Sequence, residues 1–242
     1  MKKTKSRQNI RKALVFGMFL LFPVIINYLS PAVILMGASE GIITGSAILF
    51  GLLFLSSLFF GRAWCGWVCT ASGLHQACTA VTDRKAKTGW GNVLRFIIWL
   101  VWLAMIILTF VRAGGVRGVD PLYMTENGIS FLGSEMIIFV YLIVVIMAFV
   151  MVLIWGNRAL CKYLCWMAPF MIIGNKIRYA LKIPGVYLKP KKDLCIQCKK
   201  CTTVCPMDID VEAMVQKENC QHNECIMCLQ CADVCPKGAI KG

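Results

Sequence analysis

Four stretches of this chain contain no charged residue: Ala13–Ser39, Gly41–Gly61, Phe96–Val111 and Met136–Asn157, bounded in turn by Lys12, Glu40, Arg62, Arg95, Arg112, Glu135 and Arg158. A helix crosses the hydrocarbon core of a bilayer with about 17–25 apolar residues, so these windows predict four transmembrane helices. The third window holds 16 residues, but Val93 and Leu94 extend its apolar run and the flanking arginines can snorkel to the interface. Composition agrees: 58% of residues are apolar, 16% are charged and the mean hydropathy is +0.69, beyond the usual range of a soluble domain. Two further uncharged stretches, Ala63–Thr82 and Tyr163–Asn175, read as short re-entrant or interfacial helices. The second is too short to cross, and the first is diluted by Gly66, Thr70, Ser72, Gly73, His75 and Gln76.

The basic residues predict the orientation. Lys and Arg number six before the first window, none between the first two, five around the second loop, two in the third loop and thirteen after the last window, so even loops hold 24 and odd loops 2. The positive-inside rule then puts both termini in the cytoplasm of a multi-pass protein of the cell membrane. The same distribution explains the net charge of +14 as a solvated surface facing lipid headgroups, and removes nucleic acid as the expected partner. The basic start and apolar run also fit a signal peptide with Gly37-Ala38-Ser39 as its cleavage site; with Met1 at the start, the segment is read as an anchor.

An internal repeat links the halves. Shifted by 96 residues, Arg62-Ala63-Trp64-Cys65-Gly66-Trp67-Val68-Cys69 falls on Arg158-Ala159-Leu160-Cys161-Lys162-Tyr163-Leu164-Cys165, identical at four of eight positions. Each copy follows an even-numbered span, so the two repeats, about 13–82 and 93–180, are parallel and deliver both Cys pairs to one membrane face. Residues four apart are neighbours on a helix, which predicts that both sulfurs of each Cys-x3-Cys share one helix face. Two readings stay open. Cys65, Cys69, Cys161 and Cys165 form one metal site holding a further iron-sulfur cluster, or they carry out reversible thiol chemistry; buried packing is the bland alternative. Cys78 has no repeat partner and is read as packing, and Trp64, Trp67, Trp155 and Trp166 as an aromatic belt.

After Pro184 and Pro190 the composition becomes soluble. Cys195-x2-Cys198-x2-Cys201-x3-Cys205-Pro206 is followed by Cys225-x2-Cys228-x2-Cys231-x3-Cys235-Pro236, two copies of the bacterial ferredoxin run. Three thiolates at intervals of three wrap one cubane, and the fourth comes from the other copy. Cluster one is expected on Cys195, Cys198, Cys201 and Cys235, cluster two on Cys225, Cys228, Cys231 and Cys205. Paired zinc sites would leave the third thiolate and the Cys-Pro ending unexplained, and a reducing cytoplasm disfavours disulfides. The domains are therefore a membrane domain, 1–183, and an α+β double 4Fe-4S ferredoxin domain, 184–242, whose small core makes its folding depend on the clusters. Cys220 lies outside both runs and is read as a spectator. From Asp193 onward seven acids face five bases, while Lys176, Arg178, Lys182, Lys189, Lys191 and Lys192 precede them; this basic linker is read as lying on anionic headgroups, or as a docking patch for an acidic redox partner.

Phe60-Gly61-Arg62-Ala63-Trp64-Cys65-Gly66-Trp67-Val68-Cys69, the second Cys-x3-Cys after the last span and the terminal double run together resemble the NapH-type membrane ferredoxins, a group related to the CcoG and NosR proteins. Tyr28-Leu29-Ser30-Pro31 and Asp120-Pro121-Leu122-Tyr123 extend the similarity over nearly the whole chain. The resemblance implies electron transfer between the quinone pool, or a membrane redox subunit, and a soluble redox partner or terminal reductase. The family places Pro directly after the second Cys of each pair; Thr70 and Trp166 stand there in this chain.

Other functions are excluded by the residues. The two histidines are His75 and His222, the latter within the ferredoxin module, so no haem is expected. The span cores hold no ionisable group for a proton path, and no catalytic constellation or nucleotide-binding glycine pattern appears. An electron-transfer subunit is expected rather than an independent enzyme. The alternatives are a metal-ion reductase of CcoG type, whose chains carry a further domain after the ferredoxin where this one stops at Gly242, and a membrane redox sensor.

Overall fold

The computed structural model describes residues 2–79, 81, 82, 84–87, 89, 91–130 and 136–242; Glu135, which bounds the last charge-free window, lies outside them. Helix α1 (Lys2–Leu20) enters the first window but does not complete it. The chain continues as α2 (Phe22–Ile25), a 3-10 turn over Asn27–Leu29 and α3 (Pro31–Glu40), with Ser30 capping α3 by accepting from the Val33 amide at 3.5 Å. One continuous helix over Ala13–Ser39 is thus not what forms. Pro23 and Pro31 remove backbone donors inside the window, and buried Asn27 takes its bonds from elsewhere. Its amide donates to Ser130 Oγ at 3.2 Å, its side chain donates to the Met124 carbonyl at 2.6 Å, and Ser46 Oγ donates to its carbonyl at 2.8 Å.

Strand β1 (Ile42–Thr44) leads into α4 (Gly45–Phe60), followed by one-turn α5 (Ala63–Trp67) and α6 (Thr70–Cys78). Helix α7 (Gly91–Arg112) precedes β2 (Gly118–Asp120), which pairs in parallel with β1. The second half repeats the plan with α8 (Met136–Trp155), one-turn α9 (Ala159–Tyr163) and α10 (Met167–Ala180). Among the described residues, α7 and α8 are the two helices long and apolar enough to cross a membrane, with mean hydropathies of 2.4 and 3.4 and only 6% and 11% of their most apolar stretches buried. A core helix of a soluble domain hides its apolar surface; these two display theirs, which suits association with a membrane. Helix α4, at 16 residues, and the interrupted first window are shorter.

The halves interlock reciprocally. Helix α10 packs along α4, while α6 packs on α8 and α1, so each helix following a Cys pair crosses to the long helix of the other half. At Gly174 a Cβ would stand 1.8 Å from Ser57 Oγ, and the bare backbone is what lets α10 and α4 approach this closely. The C-terminal module adds a small antiparallel pair, β3 (Lys189–Pro190) with β4 (Ile240–Lys241), and three short helices, α11 (Lys200–Thr203), α12 (Val211–Gln216) and α13 (Gln230–Val234).

Candidate metal centre

The two cysteine runs fold alike, offset by 30 residues. Gln197, Lys199 and Asp208 adopt φ of 54°, 56° and 55°, and Met227, Leu229 and Gly238 adopt 51°, 63° and 62°. A left-handed residue other than glycine costs about 1–2 kcal/mol, so the repeated placement of such residues beside the cysteines needs a reason. Alternating left- and right-handed residues turn successive amides into a concave nest, the arrangement that receives the sulfides of a cluster. Two cavities lie behind these loops. One is lined by Cys225, Cys228 and Cys231 of the second run with Cys205 of the first; the other by Cys195, Cys198 and Cys201 with Cys235. Cys220, read as a spectator, also lines the first cavity. The Ala239 amide donates to Cys235 Sγ at 3.2 Å. Burial pushes the Cys225 thiol up to about 12 and the Cys220 thiol to about 11, so thiolates here need the positive charge of a metal. Soft donors, inward amides and crossed sets of four together fit a cubane.

The membrane Cys pairs also share one local geometry. In α5 and α9 the helix lasts a single turn and ends at matching residues, Val68 (φ −125°, ψ −27°) and Leu164 (φ −122°, ψ −20°). The Cys69 amide donates to the Trp64 carbonyl at 2.9 Å, as the Cys165 amide does to that of Leu160 at 2.9 Å. This corrects the expectation that each pair occupies one helix face: Cys65 and Cys161 are helical, but Cys69 and Cys165 lie beyond the helix ends. The reciprocal crossing of α6 and α10 nevertheless brings all four together. Thiolates at Cys65, Cys161 and Cys165 would all act on Cys69, and those at Cys161 and Cys65 on Cys165. Among the described residues no three His, Cys, Asp or Glu side chains close on a single ion, whose four thiolates would stand about 3.7 Å apart at ordinary metal–sulfur distances.

Buried charge in the chain is one-sided among the described residues. Arg11, Arg62, Arg95, Arg158, Lys162 and Arg178 are buried, and Glu224 is the buried carboxylate among the described residues. Buried charge costs several kcal/mol unless compensated. Thiolates at Cys65 and Cys161 would act on Arg62 and one at Cys228 on Arg11, and Arg158 would favour thiolates at both Cys65 and Cys228. Arg62 and Arg95 share the Glu224 carboxylate, and four thiolates around a cluster would add net negative charge beside these cations. Arg62 and Arg158 occupy equivalent positions of the repeat and were visible there as identities; Arg95, expected to snorkel to the interface, is instead buried against Glu224, and Glu224 carried no signal in the sequence. Arg178, expected on headgroups with the rest of the linker, is instead buried, stacked 3.9 Å from the Tyr187 ring centre and donating to the Val186 carbonyl.

The ferredoxin module sits directly on this site through its second run. Arg62 Nη1 donates to Glu224 Oε2 at 2.7 Å and Arg95 Nη1 to the same oxygen at 3.1 Å, while Arg95 Nη2 takes Oε1. Burial alone would raise the Glu224 carboxyl, but the Arg95 hydrogen bonds and the Arg62 and Arg95 charges hold it at about 2. Trp67, expected in an aromatic belt, donates from Nε1 to the Met227 carbonyl at 2.9 Å. A Cβ on Gly66 would lie 2.3 Å from the Ile226 carbonyl. From α1, Gln8 Nε2 donates to the Cys228 carbonyl at 3.0 Å, and Arg7 pairs with Asp233 at 2.5 Å.

Fold and site together define an iron-sulfur protein of ferredoxin type with membrane-suited helices. Residues 194–240 match the 4Fe-4S dicluster domain, and residues 42–79 and 137–184 match the 4Fe-4S binding domain, one match around each Cys-x3-Cys. Over 173 residues the chain is 25% identical to an uncharacterized protein of Methanocaldococcus jannaschii, covering 68% of this chain and 66% of that protein. Over 171 residues it is 26% identical to the methylamine utilization ferredoxin-type protein MauN of Paracoccus denitrificans, covering 66% of this chain and 53% of that protein. The matched region thus spans about two thirds and about half the length of these relatives. No solved structure matches the chain. Ferredoxin-type 4Fe-4S domains and a ferredoxin-type relative give the chain an iron-sulfur electron-transfer role.

Proposed function

We propose that the chain is a membrane-anchored electron carrier of the NapH-like kind, with four spans in the cell membrane and both termini and the ferredoxin module in the cytoplasm. Cys195, Cys198, Cys201 and Cys235 would hold one 4Fe-4S cluster, Cys205, Cys225, Cys228 and Cys231 a second, and Cys65, Cys69, Cys161 and Cys165 a further cluster. When bound, each cluster supplies one-electron chemistry at a potential tuned by nearby charge and hydrogen bonds. The chain's own residues set the order. The observation that carries this reading is the contact between α5 and the second run, with Gly66 under the Ile226 carbonyl and Trp67 bonded to Met227, which lays the membrane thiols against the Cys225–Cys231 loop. At the far side Cys198 is exposed, as are Leu194 and Ile196, an apolar rim on which a soluble redox partner or terminal reductase would dock. The membrane thiols face a quinone or membrane redox subunit in this scheme. MauN is named as a ferredoxin-type protein of methylamine utilization, and only its ferredoxin-type character is carried over to this chain. Purified without oxygen, the protein is expected to hold about eight irons in the ferredoxin module and two or four more at the membrane thiols. Iron near one or two per chain, or zinc in its place, overturns the assignment.

A further inference from the structure

Beside the docked module lies an open cleft between α1, α6, the turn before α9 and the ends of α11 and α13. Arg11, Lys12, Lys85 and Arg158 line it, and no carboxylate does so among the described residues. Its lining includes His75, which is 1% exposed, as is Arg11. His75 Nδ1 accepts from the Arg158 amide at 3.3 Å, and burial together with the Arg158 charge lowers the ring to about 3. The imidazole is therefore neutral with its proton on Nε2, and that buried Nε2–H has no partner among the described residues. Arg158, 4% exposed, spends Nη1 on Ser72 Oγ at 2.6 Å. Lys12, which is exposed, and Arg158 border the first and last charge-free windows, so on the topology above the cleft opens at headgroup level on the cytoplasmic face. Arg11 spends its donors on Gln8, Gln76 and the Gly66 carbonyl, and Lys85 donates to the Thr203 carbonyl, so Lys12 and the rest of the Arg158 guanidinium are the cationic donors the cleft offers, beside the Asn157 Oδ1 acceptor.

We infer that this cleft binds a phosphate group, taken from the headgroup of an anionic phospholipid or from a free phosphate ester. Phosphate oxygens accept from several cationic donors at once and make strong charge-assisted hydrogen bonds, and the unpartnered Nε2–H of His75 lies enclosed behind the cleft wall as a further donor. The site is separate from the cysteine ligands, although the fields of Arg11 and Arg158 reach Cys228.

The holoprotein in detergent is titrated with inorganic phosphate by calorimetry, and its retained lipid is identified by mass spectrometry. The same is done for Lys12→Gln, whose side chain is exposed, and for Arg158→Gln. Losing one charge-assisted bond is expected to weaken phosphate binding about tenfold in each variant. A lipid source is shown by phosphatidylglycerol retained by the parent chain, lost from both variants and displaced by phosphate. A free source is shown by undiminished phosphate binding in phosphatidylcholine nanodiscs with no retained anionic lipid. The inference is overturned if the parent chain neither binds phosphate nor retains an anionic lipid, or if both variants bind as the parent does with their iron intact. Iron is counted on the same samples. A chain that binds phosphate but lacks the expected iron sinks the carrier reading alone.

Discussion

Glu224 immediately precedes a cysteine of the second run, yet its carboxylate belongs to the membrane domain's arginines. Replacing it leaves Arg62 and Arg95 buried without their partner, and removing one side of such a cluster costs about 3–5 kcal/mol. Glu224→Ala is expected to loosen the module from the membrane domain, read as faster proteolysis between Ala180 and Lys189, with the Cys195–Cys235 irons retained. Unchanged proteolysis would mean that the remaining contacts suffice. The membrane thiols make a second prediction at this scale. If Cys65 and Cys161 serve one centre, Cys65→Ser and Cys161→Ser cause the same loss of iron or electron transfer and the double variant adds little, because groups acting as one unit are not additive. Small additive stability losses with unchanged electron transfer would indicate packing. Cysteine spacing was legible in the sequence because cluster ligands are local. Glu224 was not, because nothing near it in the chain distinguishes it from a surface acid.

The one-turn helices α5 and α9 explain why the repeat was readable while its geometry was not. Identity of Arg, Ala and both cysteines at a 96-residue offset announces equivalent elements, and the 4Fe-4S binding domain matches both halves. A helical i,i+4 spacing, however, presumes that the helix continues, and each of these stops before the second cysteine. The stop lets the chain turn into α6 or α10, and it is the crossing of those two helices that gathers the thiols. Gly66, within α5, is the element's point of contact with the second run. Gly66→Ala drives a Cβ into the Ile226 carbonyl, and relief of such overpacking typically costs about 1–3 kcal/mol. Slower electron transfer between membrane thiols and ferredoxin module is expected, with total iron unchanged. Full-speed transfer in that variant would remove the α5 contact from the path.

For the whole molecule the decisive test is topology. A reporter fused after Gly242 is expected in the cytoplasm, and one inserted at Gly114-Gly115, between α7 and β2, on the opposite side. Both reporters on one side would contradict an anchor crossing the membrane at α8. The sequence by itself determined the ferredoxin-type 4Fe-4S module, the two related halves and the presence of apolar helices, because ligand runs, repeats and hydropathy are properties of neighbouring residues. Only the tertiary structure decided that the first charge-free window is broken at Asn27, that six cations are buried, and that the second run sits on α5. These depend on partners about a hundred residues or more away, such as Ser130 for Asn27 and Glu224 for Arg62. A charge is worth burying only where such a partner meets it in space, and linear order does not record that meeting.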